Sequence, residues 1–140
     1  MLGGEYRHSL DAKNRIFIPA KLREELGDTL VIAKDIREKC LKVYSLEGWQ
    51  DYIKPLRDQK RKLSEKIIRF LHSSMAQVVP DSQGRVVLPP ELVSHATLEK
   101  NVVIIGCCDY AEIWSESVYT ELKEQEDISS ILAELEELGL

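Results

Sequence analysis

The chain has 140 residues, of which 44% are apolar and 31% are charged, as expected of one globular domain or of two small halves sharing a core. Its net charge of −5 conceals an asymmetry between the two halves of the chain. Residues 1–75 carry 16 Lys and Arg against 11 Asp and Glu, whereas residues 76–140 carry 3 against 13. Only the first half could therefore face a polyanion. No apolar run reaches about 18 residues, and the first residues lack a secretory apolar segment. The three cysteines lack C-x-x-C spacing and are expected to be buried. We therefore expect a cytoplasmic protein.

The first predicted unit is a strand, a tight turn and a second strand. The segment EYRHSL enters the turn DAKNR at residues 11–15, and RIFIP leaves it. Asn14 tolerates the positive φ that a tight hairpin turn requires. Pro19 then stops strand pairing and leads into a short helix, AKLREELG, which Gly27 closes.

Two strands, TLVIA and CLKVY, follow, and Ser45 is then placed as the N-cap of a helical region that extends to residue 75. Pro55 is expected to break this region into two helices. The first contains Trp49 and Tyr52, which are expected in the core or an interface. The second, KRKLSEKIIRFLHSSM, has a basic face and an apolar stripe formed by Leu63, Ile67, Phe70 and Leu71.

The same unit returns seventy residues later. DAKNRIFIPAKL aligns with DSQGRVVLPPEL, which matches Asp11 with Asp81, Asn14 with Gly84, Arg15 with Arg85, Pro19 with Pro89 and Leu22 with Leu92. A similarity of this period indicates two copies of one structural unit. Each copy would be marginally stable alone, so we expect the two to fuse into one pseudo-twofold unit, a mixed α+β fold built as a compact barrel of hairpins with peripheral helices.

The second copy continues with the strands NVVIIG and AEIW, after which Ser115 is the expected N-cap of another helix. An acidic amphipathic helix ends the chain and should pack on the body or on a neighbouring subunit, through Ile128, Ile131, Leu132, Leu135 and Leu138. The predicted organisation is a first repeat, a helical connection, a second repeat and a C-terminal helix, at residues 1–52, 53–75, 76–122 and 123–140.

The two D-x-x-x-R turns share a frame but differ in charge. In both, the carboxylate can accept backbone N–H bonds and pair with the guanidinium, so Asp11, Arg15, Asp81 and Arg85 are expected to structure the turns, together with Asn14 and Gly84. Basic residues surround the first turn, at Arg7, Lys13, Arg15, Lys21 and Arg23. Their counterparts are Gln77, Gln83, Arg85, Glu91 and Val93. A rigid ribbon with Arg, Lys and Asn at its tip can enter the DNA major groove while flanking lysines hold phosphates.

The segments GEYRHSLDAKNRIFIPAKLREEL and DSQGRVVLPPELVSHATLEKNVVIIGCCDYAEIWS resemble the MraZ family of bacterial transcriptional regulators over residues 1–122. The resemblance implies an AbrB/SpoVT/MazE-like swapped-hairpin fold, doubled in one chain. It also implies ring-like homo-oligomers that act at the nucleoid and bind short direct repeats of double-stranded DNA, upstream of a division and cell-wall gene cluster. The N-terminal copy is then the expected DNA-contacting one, through Lys13, Asn14 and Arg15, with Arg7 and Lys21 in support.

Other functions remain as alternatives or are set aside. The alternative is a protein-binding, antitoxin-like module or an oligomeric scaffold that uses the C-terminal helix. His8, His72 and His95 show no metal-ligand spacing, and no nucleotide-binding or hydrolase motif occurs. We therefore expect no enzyme activity, no metal or cofactor, and no small-molecule substrate.

Overall fold

The computed structural model of the chain describes residues 1–58 and 62–140. The first copy forms four strands and one short helix. Residues 59–61, which belong to the predicted helical connection, and the side chain of Leu63 lie outside what is described. The elements of this copy, with the two helices that follow it, are β1 Glu5–Ser9, β2 Arg15–Phe17, α1 Ala20–Leu26, β3 Leu30–Lys34, β4 Leu41–Ser45, α2 Leu46–Arg57 and α3 Lys62–Ser74.

The second copy repeats this order. Its elements are β5 Ala76–Val78, β6 Arg85–Val87, α4 Pro90–His95, β7 Asn101–Cys107, β8 Tyr110–Ser115, α5 Glu116–Gln125 and α6 Ile128–Glu137. Pro19 and Pro89 stand immediately before or at the start of α1 and α4, as the sequence predicts, because a fixed φ suits the first helical turn.

Strands are exchanged between the copies. A six-stranded antiparallel sheet has the order β1-β7-β8-β4-β3-β5, so β1 pairs with β7 of the second copy and β5 pairs with β3 of the first. The strands that flank each turn therefore do not pair with each other along their length, as a simple hairpin would. No ladder among the described residues joins β1 to β5, and a closed barrel is not observed; the architecture is a mixed α/β fold with an antiparallel sheet.

The remaining two strands, β2 and β6, form a separate antiparallel ribbon across one face of the large sheet. Ile16 and Val86 of this ribbon are buried in the main core. That core takes residues from both copies, including Leu22, Ile32, Leu41, Val43, Leu88, Leu92, Val102, Ile104 and Ile113. Each copy thus completes the apolar core of the other.

Helices α2 and α3 cover the opposite face of the sheet, where Trp49, Ile53 and Leu71 pack with Val31 and Tyr44 in a second core cluster. The predicted cap at Ser45 is confirmed, since its hydroxyl accepts a hydrogen bond of 2.9 Å from the Gly48 N–H.

Some predictions about these helices and the cysteines are wrong in detail. Pro55 lies inside α2 rather than ending it, and the chain leaves the helix only two residues later, so few hydrogen bonds depend on the region that proline disrupts. Phe70 is 55% exposed instead of contributing to a buried stripe. Tyr52 stacks on Tyr44 but is half exposed. Of the cysteines, which are free, Cys40 is buried and Cys108 is exposed.

Helix α6 has the predicted apolar stripe, but none of its residues is buried. Burial of this stripe on the body, one of the two expected outcomes, is therefore not found among the described residues. No helix in residues 1–58 and 62–140 is long and apolar enough to cross a membrane.

Candidate nucleic-acid interface

The first D-x-x-x-R turn is organised by the carboxylate of Asp11. Its Oδ1 accepts hydrogen bonds from the backbone N–H groups of Lys13 at 2.9 Å and Arg15 at 2.8 Å, and its Oδ2 accepts one from the Arg15 Nε at 2.6 Å. Asn14 has a φ of 58°, the left-handed conformation expected for this position. These bonds, chiefly the one from the Arg15 N–H, hold the pKa of Asp11 below its ordinary value of 3.8.

The second turn has the same frame. Asp81 Oδ1 accepts from the N–H groups of Gln83 and Arg85 at 2.9 Å each, and Oδ2 accepts from the Arg85 Nε at 3.3 Å. Gly84 has a φ of 80°. The Arg85 N–H makes the largest contribution to lowering the pKa of Asp81. The end residues of both motifs therefore build the turn, whatever else they do.

Backbone hydrogen bonds connect the two turns directly. The Leu88 N–H donates to the Asn14 carbonyl at 2.8 Å, and the Ile18 N–H donates to the Gly84 carbonyl at 2.9 Å. The β2–β6 ladder continues this connection, with Arg15 opposite Val87 and Phe17 opposite Arg85. Both turns are thus parts of a single two-stranded ribbon, and neither is free to move independently.

The ribbon has one buried and one outward face. Because side chains alternate along a strand and Ile16 and Val86 are buried, the outward face carries Arg15, Phe17, Arg85 and Val87. Val87 is 57% exposed. The sequence indicated two separate hairpins and did not place the two motif arginines on one surface, because the pairing of β2 with β6 is a tertiary contact between segments seventy residues apart.

Arg23 has a structural role at this ribbon. Its Nε donates to the Ile18 carbonyl at 2.8 Å, and its guanidinium lies 5.5 Å from the centre of the Phe17 ring. It also covers Gly84, where an added Cβ would stand 2.7 Å from the Arg23 Cζ. One of the cations noted around the first turn is therefore bonded to the backbone and lies over the second turn.

The other predicted contact residues divide into two groups. Lys13, at the tip of the first turn, and Lys21, in α1, are exposed, and neither has an ion pair in residues 1–58 and 62–140. Arg7 is different, since its guanidinium pairs with Glu5 at 3.2 Å and with Glu116 of α5 at 3.5 Å. Those acidic partners partly neutralise Arg7 and hold it against α5.

One cluster of polar side chains was not expected from the sequence. The Cys40 thiol lies 3.6 Å from an Asp35 carboxylate oxygen and 4.0 Å from one of Glu112, and Lys42 approaches Asp35 at 3.7 Å. Burial first, and then the two carboxylates, raise the pKa of this thiol. A protonated Cys40 that donates to Asp35 accounts for the arrangement. No local sequence signal marks it, because Glu112 comes from the other copy.

Comparison with known proteins gives a consistent result. The family described as "MraZ protein, putative antitoxin-like" matches residues 1–70 and 72–138. A protein named transcriptional regulator MraZ from Thermoanaerobacter pseudethanolicus is 40% identical over 144 residues, which cover all of both chains. A protein of the same name from Clostridium acetobutylicum is 39% identical over 147 residues, again over the full length of both. Another, from Caldanaerobacter subterraneus subsp. tengcongensis, is 39% identical and covers 92% of this chain and 91% of its own.

Proposed function

Since this chain belongs to the MraZ family, we propose that it is a transcriptional regulator that binds double-stranded DNA through the β2–β6 ribbon, with the first D-x-x-x-R turn as the contacting tip. One observation carries this proposal. The two turns have the same hydrogen-bonded frame, yet exposed Lys13 stands in the first where the second has Gln83. Turn stability alone does not explain that difference, because the Asp–Arg pair is present in both.

The ribbon suits a DNA groove in shape and in chemistry. A two-stranded antiparallel ribbon fits the width of the major groove, and its two turns are fixed by the Asn14–Leu88 and Ile18–Gly84 backbone bonds. The bond from Arg15 to Asp11 uses Nε, so the terminal nitrogens of that guanidinium can still donate to a phosphate or a guanine edge. Lys13 and Lys21 supply positive charge that is independent of base sequence.

Arg7 fits this role less well than the other predicted residues. Its pairs with Glu5 and Glu116 would have to loosen before it could reach a phosphate. We therefore assign Lys13, Asn14 and Arg15 as the primary DNA contacts, and Lys21 as a phosphate contact.

A single ribbon covers a small site, so useful affinity requires several ribbons on one DNA molecule. A homo-oligomer, ring-like in arrangement, that engages short direct repeats would provide this through avidity. We propose that the target is a promoter upstream of division and cell-wall genes and that the protein acts at the nucleoid.

The test is gel retardation of the DNA immediately upstream of this protein's own gene across a salt series. Lys13→Gln gives the first turn the residue found in the second, and we expect it to reduce the slope of log K against log salt by about 0.9, the loss of one phosphate contact. The matched control is Lys39→Gln, because Lys39 is exposed in the loop between β3 and β4 and belongs neither to the ribbon nor to α1. Equal effects of these two variants would contradict the assignment.

The two motif arginines provide a second comparison. Arg15→Ala should abolish specific retardation without changing oligomer size, whereas Arg85→Ala should mainly lower stability. If both variants remain folded and lose DNA binding equally, the assignment of DNA contact to the first turn rather than the second is wrong.

A further inference from the structure

Helix α6 carries an apolar stripe that none of the described residues of its own chain buries. Ile128 is 68% exposed, Leu132 53% and Leu138 75%, and no residue of the helix is buried. A ten-residue helix is marginally stable alone in water, and most helices in proteins gain stability by packing an apolar face. The stripe therefore needs a partner surface.

The first copy shows what such a helix does when a partner is present. Helix α3 follows α2 as α6 follows α5, and α3 packs back so that Leu71 joins Trp49 and Ile53 of α2 in a buried cluster. At the matching positions of α5 the chain has Tyr119 and Lys123 instead.

These two residues are engaged elsewhere. The Tyr119 hydroxyl donates to Glu5 at 2.7 Å, and the Lys123 ammonium approaches the same carboxylate at 3.4 Å. Because a polar network has replaced the apolar surface of α5, this helix cannot bury α6 as α2 buries α3.

The chain does contain an open groove of suitable lining. It lies between α2 and α3, has a volume of about 410 Å³, and is lined by the apolar residues Val31, Leu46, Trp49, Ile53, Ile68 and Met75 together with the polar residues Gln50, Arg57, His72 and Gln77. Its lining on α2 extends from Leu46 to Arg57, about 16 Å at 1.5 Å per residue. The stripe of α6 from Ile128 to Leu138 is about 15 Å long by the same measure.

Charge also favours this pairing. Residues 46–74 contain seven Lys and Arg against four Asp and Glu, whereas residues 116–140 contain one against eight. Pairing two copies of α6 with each other would instead bring like charges together.

We infer that α6 of one copy packs into the α2–α3 groove of a second copy of this chain, apolar stripe inward. The contact joins two different surfaces, so it is heterologous and propagates from copy to copy, closing into a ring where the rotation permits. The inference rests on the proposed function in one respect, because this contact would be the interface of the oligomer that presents several ribbons to repeated DNA sites.

The experiment is sedimentation equilibrium of the full chain without DNA. The wild type should self-associate, and Leu132→Glu should weaken association by about 30-fold, which at 1.4 kcal/mol per tenfold corresponds to the roughly 2 kcal/mol of one buried leucine. The matched control is Ser130→Glu, which adds the same charge on the opposite side of the same exposed helix and should leave association unchanged. A wild type that stays monomeric at all concentrations, or equal effects of the two variants, would overturn the inference.

Groove variants distinguish the proposed contact from pairing between two α6 helices. Leu46 is 39% exposed and Gln50 is exposed, and both line the groove, so Leu46→Glu and Gln50→Glu should each weaken association while the circular dichroism spectrum is retained. If both folded variants assemble as the wild type does, α6 has another partner and the inference is wrong.

Mixing gives the sharpest result. The Leu132→Glu chain keeps an intact groove and the Leu46→Glu chain keeps an intact α6, so the mixture should form a one-to-one dimer that neither forms alone. If Leu46→Glu does not fold, Gln50→Glu takes its place. Absence of the dimer with both chains folded would overturn the inference. DNA is absent throughout, so a negative result here leaves the gel-retardation test of the ribbon untouched.

Discussion

Replacing Gly84 by Asn, the residue found in the first turn, should destabilise the protein although Asn is well suited to the backbone at Asn14. Both positions have positive φ, 80° and 58°, which Asn accepts readily. The two positions differ in what packs on the turn, since a Cβ at Gly84 would stand 2.7 Å from the Arg23 Cζ. The flexible guanidinium would have to move away.

The expected cost follows from the contacts that Arg23 would lose. These are the charge-assisted bond from its Nε to the Ile18 carbonyl and its position against the Phe17 ring. A hydrogen bond to a charged group contributes about 1.5–3 kcal/mol, and a partly exposed cation–π contact about 0.5–1 kcal/mol. Because the displaced guanidinium regains water, we expect a net loss of about 2 kcal/mol.

The assay is equilibrium urea unfolding of Gly84→Asn with three comparisons. Asn14→Gly makes the reverse exchange where Arg23 is absent and should change the free energy of unfolding by less than about 1 kcal/mol. Arg23→Val alone should cost a similar amount to Gly84→Asn, and the double variant should cost no more than Arg23→Val. Additive costs in the double variant, or a Gly84→Asn protein as stable as the wild type, would refute the role assigned to Arg23.

Two further predictions concern titration and thiol reactivity. Because the pKa values of Asp11 and Asp81 lie below 3.8 in the folded protein, the unfolded state binds more protons below that pH, and the stability that these carboxylates contribute above pH 3.8 should be lost as the pH falls through their folded pKa values. Urea unfolding between pH 5 and pH 2 should show a shallower decline in the Asp11→Asn/Asp81→Asn variant, and identical slopes would contradict this. Burial is the main cause that raises the pKa of Cys107 to about 11, and it also raises the pKa of Cys40, whereas Cys108 is exposed. Iodoacetamide at pH 8 should therefore modify Cys108 first, as measured by peptide mass spectrometry. Faster modification of Cys40 in the folded protein would show that its buried cluster opens.

Local patterns in the sequence were sufficient for most elements, but not for their pairing. The turn at Asn14, the helices after Pro19 and Pro89, and the cap at Ser45 depend on residues within a few positions, and the structure confirms them. Strand order could not be predicted in this way, because a strand with one apolar face can bury that face against either copy. Only the shared burial of both copies' residues in one core decides that β1 pairs with β7 and β2 with β6.

The same limit applies to the candidate site. Sequence alone singled out Asp11, Arg15 and their counterparts as turn residues, and in the structure hydrogen bonds join each Asp to its Arg. It could not separate the engaged cations, Arg7 and Arg23, from the exposed Lys13, because the partners of the first two come from α5 and from the second turn.

The duplication within one chain makes the asymmetry of the ribbon possible. In a symmetric pair of identical units, an arginine at position 23 in each would lie over the turn of the other, and both turns would then need glycine. Here Arg23 lies over Gly84, while the second copy has Val93 in the equivalent position and the first turn has Asn14. The smaller Val93 spares the first turn from that requirement, so a polar side chain can stand at its tip. Arg23, Gly84, Val93 and Asn14 therefore form one correlated set, in which the second turn is specialised for packing and the first is left free to present polar groups outward.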